Sequence, residues 1–212
     1  MGEIYENTIM EVKNAFTPEF CREIVNRFDE DPRKAPGVLS RGIDKSVKDS
    51  TDLHTDDAGD MYMTKEIFRT FNEMIDKYAT HLRKCNTLFP FQDMKKCWTY
   101  PVIQKTDPGG HFAWHADSDI DKQNVRLMAV ILYLNDVPEE HGGATEFNSG
   151  RKVQPEIGKF LFFPTDAMHV HRGAKLKAGS KYIITSFLLD EDRYNLTREP
   201  VSRYACLPFS VS

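Results

Sequence analysis

Four segments in the second half of the chain limit the fold most: WTYPVIQ from residue 98, RLMAVILYLN from 126, KFLFFP from 159 and KYIITSFLL from 181. Each is short, rich in β-branched and aromatic residues, and bounded by Gly, Pro or Asn, the signature of strands. No helical pattern separates them. Several short strands in succession without intervening helices predict an antiparallel sandwich, jelly roll or barrel.

The first half reads differently. In FTPEFCREIVNRFDED, Thr17 is an N-cap candidate, Pro18 suits the first helical position and Glu19 the first turn. Phe20, Ile24, Val25 and Phe28 recur at helical spacing and predict its buried stripe. Residues 31–60 turn to Pro, Gly, Ser, Asp and Lys and predict a long, partly ordered loop. A second helix is expected over residues 64–83, with Ile67, Phe71, Met74, Ile75 and Tyr78 on one side. Helices first and a β core after them make the class α+β, mainly β. The 212 residues are expected to form one domain, with residues 1–90 as helical and loop support, 91–192 as the β core and 193–212 as a C-terminal extension.

Composition excludes several function classes. A formal net charge of -4 gives no long-range attraction to phosphate backbones or anionic lipid, so neither nucleic acid nor membrane is an expected partner. Apolar runs are far too short to span a bilayer. Cys21, Cys85, Cys97 and Cys206 lie far apart without CxxC spacing, which argues against a zinc ribbon or disulfide framework and for a reduced compartment. The N-terminus has no secretory pattern, and Glu6 breaks the myristoylation pattern. A cytoplasmic location is the expectation.

The chemistry gathers in two places. HFAWHADSD, residues 111–119, follows the turn-like TDPGG. On a strand, residues two apart share a face, about 7 Å apart at the backbone, so His115 and Asp117 could converge on one ion. His111 and Asp119 share that parity but reach the same ion only if the chain bends. One His and one Asp leave a first-row metal under-coordinated, so a further ligand must come from elsewhere. The second place offers His169 and His171, again two apart. Two histidines and a carboxylate on one face of an octahedron mark non-heme iron(II) oxygenases. A lone HxD or HxH is more often a turn or a solvated pair; the order and context of these two give them weight. Lys181 opens an otherwise apolar strand. Its ordinary reading is a solvated strand end, and its sharper reading is an anchor for a cosubstrate carboxylate. Tyr133 is either a core aromatic or a second donor to that carboxylate.

Over roughly residues 98–190 the sequence resembles the iron(II)/2-oxoglutarate dioxygenases of the prolyl 4-hydroxylase-like branch. The resemblance rests on PGGHFAWHAD, RLMAVILYLNDVPEEHGGATEF, GKFLFFP and HRGAKLKAGSKYIITSFLL, four pieces in order at family-like spacing, with a weaker echo in FTPEFCREIV. It implies a double-stranded β-helix (jelly-roll) core with the N-terminal helices packed on one sheet. His115, Asp117 and His171 match the catalytic iron-binding triad, and Lys181 matches the residue that holds the C5 carboxylate of 2-oxoglutarate. His171 is preferred to His169 because of the His-Arg-Gly sequence and its ten-residue gap to Lys181. Tyr133 matches an aromatic hydroxyl that assists Lys181 in some members. Two positions depart from the pattern: Thr106 and Phe112 stand where many members carry tyrosine, and Tyr100 or Thr99 are candidates to compensate.

The resemblance further implies Fe(2+), 2-oxoglutarate and O2 as cofactor and cosubstrates, with L-ascorbate as an accessory. The implied activity couples decarboxylation of 2-oxoglutarate to succinate with C–H hydroxylation of a prolyl residue in a peptide or protein. Alternatives are a hydroxylase of a free amino acid or other small molecule, and a non-catalytic jelly-roll binding module, against which the intact triad and Lys181 speak. A zinc hydrolase lacks an HExxH-type motif and leaves Lys181 unexplained. The segment RGIDKSVKDSTDLHT, residues 41–55, is a candidate substrate clamp.

Overall fold

A computed structural model describes residues 3–6, 8–39, 42–55, 61–84, 96–118 and 126–190. Asp119, Cys85, Cys206, the loop after the His-x-Asp motif and the C-terminal extension lie outside them. In chain order the elements are β1 (Glu3–Glu6), β2 (Ile9–Val12), α1 (Pro18–Glu30), β3 (Ala35–Pro36), β4 (Thr51–His54) and α2 (Met61–Lys84). There follow β5 (Lys96–Trp98), β6 (Val102–Thr106), β7 (Phe112–His115), β8 (Arg126–Tyr133), β9 (Thr145–Phe147), β10 (Lys152–Val153), β11 (Phe160–Pro164), β12 (His171–Gly173) and β13 (Lys181–Asp190).

The strands make two antiparallel sheets. The larger runs β1-β2-β11-β8-β13-β6-β4-β3, with β5 also pairing β13, and the smaller runs β10-β9-β12-β7. This is the double-stranded β-helix the sequence predicts. Its central strands are apolar on both faces because both are covered. On β8, Met128, Val130 and Leu132 join the core under the helices, whereas Ala129, Ile131 and Tyr133 join the core between the sheets. Phe160 and Phe162 alternate in the same way with Leu161 and Phe163 on β11. A fully buried side chain of this size stabilises by about 1.5–3 kcal/mol. These central positions therefore fix the register, since a one-residue slip would exchange the two cores.

The helices lie where expected. Thr17 caps α1 by accepting a hydrogen bond from the Phe20 N–H at 3.2 Å, and Ile24 and Phe28 are fully buried. Phe20 and Val25 are only partly buried, and Cys21 takes the central place. All five predicted residues of α2 (Ile67, Phe71, Met74, Ile75 and Tyr78) are buried in the helix-facing core.

Two expectations need correction. Support for the large sheet is not only helix and loop, because the chain begins with the β1–β2 hairpin, which pairs β11 through β2. Nor are residues 31–60 simply a loop. β3 and β4 extend the large sheet beyond β6, and between them, just before β4, the backbone pairs with β7 and the residue preceding it: Asp49 N–H donates to His111 O and Ala113 N–H to Val47 O. Residues 47–54 thus cross from one sheet to the other. An inward ion pair, Lys48 Nζ to Asp52 Oδ2 at 2.6 Å, holds the crossing, with Ser50 donating to the second Asp52 oxygen. Gly110 is required beside it, since a Cβ there would lie 2.6 Å from Asp49 O.

Candidate metal centre

β7 and β12 are neighbours in the small sheet, with His115 directly opposite His171. The DPGG turn delivers the first histidine, and β12 begins at the second. Their rings lie 4.3 Å apart between centroids. Asp117 follows β7 and aims its two oxygens at the two rings: Oδ1 is 3.5 Å from His115 Nε2 and Oδ2 is 3.7 Å from His171 Nε2. Ligand atoms of all three residues fall within 4.8 Å of one another. Donors bound at about 2.1 Å and at right angles would be about 3 Å apart, so small side-chain rotations suffice to close the set on one ion.

The tautomers suit that use. His115 donates Nδ1–H to Ala113 O at 2.8 Å, and His171 donates Nδ1–H to His169 O at 3.1 Å. Each leaves Nε2 as a lone-pair donor facing Asp117. Burial, against the pull of Asp117, holds the pKa of His171 below the usual imidazole value, which favours the neutral, ligating form. Burial disfavours charge on Asp117 as well, but its neighbours His115, His171 and Arg126 outweigh it and keep the carboxyl below its ordinary range. Phe112 stacks on the His115 ring at 3.7 Å between centroids.

Lys181 lies on the inner face of β13, opposite Thr106 on β6, and is 4% exposed. It is not a solvated strand end. Its Nζ donates to Gly143 O at 3.0 Å, the one hydrogen bond it makes among the described residues. Burial alone lowers its pKa to about 8. Gly173 leaves space beside the ammonium, where a Cβ would sit 3.6 Å from Nζ and 3.5 Å from Phe112 Cβ. A buried cation with three donors, one acceptor and room beside it fits an incoming carboxylate.

The other sequence candidates fare differently. Tyr133 is fully buried on the same inner face, and donates its proton to Thr145 Oγ1 at 2.7 Å rather than to open space. Thr99 does not replace a missing tyrosine, because its hydroxyl accepts from Phe187 N–H and meets Ser186 Oγ. His111 points away from the triad, with Nε2 3.0 Å from Ser46 O. His169 sits in a 3-10 turn before β12, not on the strand, and its ring is held by Thr8 and Asp166. Arg126, which donates to Asp117 O at 3.3 Å, carried no sequence signal beyond opening β8. Backbone carbonyls that orient both histidines have no sequence signature at all.

A two-histidine, one-carboxylate cluster is the donor set used by non-heme iron oxygenases, and here it lies inside a double-stranded β-helix. Residues 101–189 match the family model of the 2OG-Fe(II) oxygenase superfamily. Among curated proteins, the chain is 33% identical over 76 residues to rat 2-oxoglutarate and iron-dependent oxygenase domain-containing protein 3, which is 34% of this chain and 24% of that protein. It is 22% identical over 71 residues to a PKHD-type hydroxylase of Synechococcus sp. (strain CC9902), 32% of each chain. These matches thus span about a quarter to a third of the relatives' own length. The fold is similar to a Trichoplax adhaerens prolyl hydroxylase solved with a hypoxia inducible factor peptide fragment, with TM-score 0.71, 18% identity, and coverage of 91% of this chain and 88% of that one. A Pseudomonas putida prolyl-4-hydroxylase gives TM-score 0.68 and 14% identity, covering 86% and 92%. Residues 101–189 are thus similar to the 2OG-Fe(II) oxygenase superfamily, and the chain shares the fold of the prolyl hydroxylases.

Proposed function

We propose that the chain is an Fe(II)- and 2-oxoglutarate-dependent hydroxylase acting on prolyl residues in a peptide or protein. The observation that carries this reading is the convergence of His115, Asp117 and His171, with the buried ammonium of Lys181 against Gly173, two residues beyond His171. The three ligands would hold ferrous iron, with L-ascorbate as an accessory reductant. When bound, iron with 2-oxoglutarate and O2 supplies the oxidising chemistry that yields succinate, carbon dioxide and a hydroxylated C–H position.

The chain's own residues bind and orient. Lys181 pairs with the distal carboxylate of 2-oxoglutarate, replacing lost hydration with a charge-assisted hydrogen bond. Tyr133 fixes Thr145 on the same inner wall, and the Phe112 stack keeps His115 in plane. The core between the sheets buries His171 and Lys181, whereas His115 and Asp117 keep partial access to solvent. A prolyl substrate rests on the likeness to the prolyl hydroxylases above, one of them solved with a peptide.

Among the described residues, no helix is long and apolar enough to cross a membrane. The test is succinate release from 2-oxoglutarate with Fe(II), with and without a library of proline-containing peptides. Release that rises with a peptide and is abolished by His115→Ala supports the reading. Release driven only by a free amino acid would move the substrate to small molecules, and activity surviving His115→Ala would reject the metal assignment.

A further inference from the structure

The two histidines of the centre are held in unlike ways. Ala113, whose carbonyl orients His115, belongs to β7, where its own N–H is bonded to Val47 O. The carbonyl that orients His171 belongs to His169, which stands outside the sheet in a single 3-10 turn, residues Ala167–His169. The sheet reaches only the next peptide, where Val170 O accepts from Asn148 N–H at 2.8 Å, so the His169 carbonyl is set by that bond together with its own side chain and the turn.

Both ring nitrogens of His169 are occupied. Nδ1 lies 2.7 Å from Asp166 Oδ1 and Nε2 lies 2.6 Å from the Thr8 hydroxyl. A carboxylate can only accept, so a neutral ring donates Nδ1–H to Asp166 and accepts at Nε2 from Thr8. Asp166 Oδ1 also accepts from the Met168 N–H at 2.9 Å and Asp166 O from the His169 N–H at 3.1 Å, closing the turn. Thr8 is fixed in its place by the backbone, as its carbonyl accepts from the Tyr78 hydroxyl of α2 at 2.8 Å. A continuous path of hydrogen bonds therefore runs from α2 through the β1–β2 turn to Nδ1 of His171.

We propose that Thr8, His169 and Asp166 are positioning residues for the distal iron ligand, so that the N-terminal hairpin sets the metal affinity of a centre built in the β core. This rests on the reading of His171 as a ligand. The path begins with Tyr78 and Thr8, outside residues 101–189, the part of the chain that matches the oxygenase superfamily. Loss of a group that orients a ligating histidine costs 10- to 100-fold in metal affinity. Thr8 acts one bond farther out, so the lower end applies, about tenfold.

The experiment is a Co(II) titration of the full chain, read by visible ligand-field absorption, beside the melting temperature of the metal-free protein. Thr8→Val keeps the side-chain shape and removes the hydroxyl; it is expected to weaken Co(II) binding about tenfold and change the absorption envelope, with melting little changed. Thr8→Ser restores the hydroxyl and is expected to bind within twofold of the parent. His169→Phe, which keeps a ring and loses both nitrogens, is the second variant and should weaken binding at least as much. Thr8→Val binding within twofold of the parent overturns the proposal, as does Thr8→Ser binding as weakly as Thr8→Val. Weakened binding that merely follows a lowered melting temperature in both variants also overturns it. A parent chain that takes up no Co(II) strikes the iron reading itself, a separate result.

Discussion

Lys181 holds its charge almost fully buried, with one protein acceptor among the described residues. Burial lowers its pKa from 10.5 to about 8, so at pH 7 the folded, ligand-free protein bears the cost of a desolvated ammonium. Between about pH 8 and 10.5 the unfolded chain holds that proton and the folded chain does not, so stability rises with pH across this window. Lys181→Met should therefore melt above the parent at pH 7 without 2-oxoglutarate, and the gap should narrow toward pH 10. A gap that widens with pH would contradict this. A carboxylate opposite Lys181 reverses the balance, since it needs the proton retained. At saturating metal, Lys181→Ala should raise the 2-oxoglutarate requirement far more than His169→Ala, and the opposite order would mean that the distal segment is misassigned. Sequence pattern singled out Lys181 because its ten-residue distance from His171 fits the family, but not its single acceptor, which is the carbonyl of Gly143 in a distant loop.

At the scale of elements, residues 47–54 connect the sheets and form one wall of the interior. Their polar composition reads as a loop because the pairs that make them compatible with burial, Lys48 with Asp52 and Gln104 with Asp52, join residues whose contact no periodicity announces. Hairpin β1–β2 was equally hidden. IMEV is buried at every position, including Glu11, which Arg151 and Lys159 neutralise. The α2 stripe was legible because one apolar face on one sheet is the simplest pattern a helix can have. Removing one member of the buried pair leaves the other charge uncompensated. Asp52→Ala should lower stability by about 3 kcal/mol in denaturant titration, and Lys48→Met with Asp52→Leu should recover much of it. A loss under about 0.5 kcal/mol would place that pair at the level of an exposed one. The crossing also limits any substrate clamp, as residues 47–54 are already bonded to both sheets.

For the whole molecule, one large sheet has two tasks. Its outer face is covered by α1 and α2, and its inner face closes with the small sheet around the triad and Lys181. The four strand segments and the His-x-Asp and distal His motifs were readable because local alternation and short spacing determine them. How the two motifs meet was not, since it depends on β7 lying beside β12, a pairing made across more than fifty residues. The most direct test is a crystal structure grown without oxygen from Fe(II) and 2-oxoglutarate, with the iron located by its anomalous scattering. A single iron bonded to His115 Nε2, an Asp117 oxygen and His171 Nε2, with the dicarboxylate reaching Lys181, is the predicted result. Iron bound at another site, or at this one without His171, would contradict it.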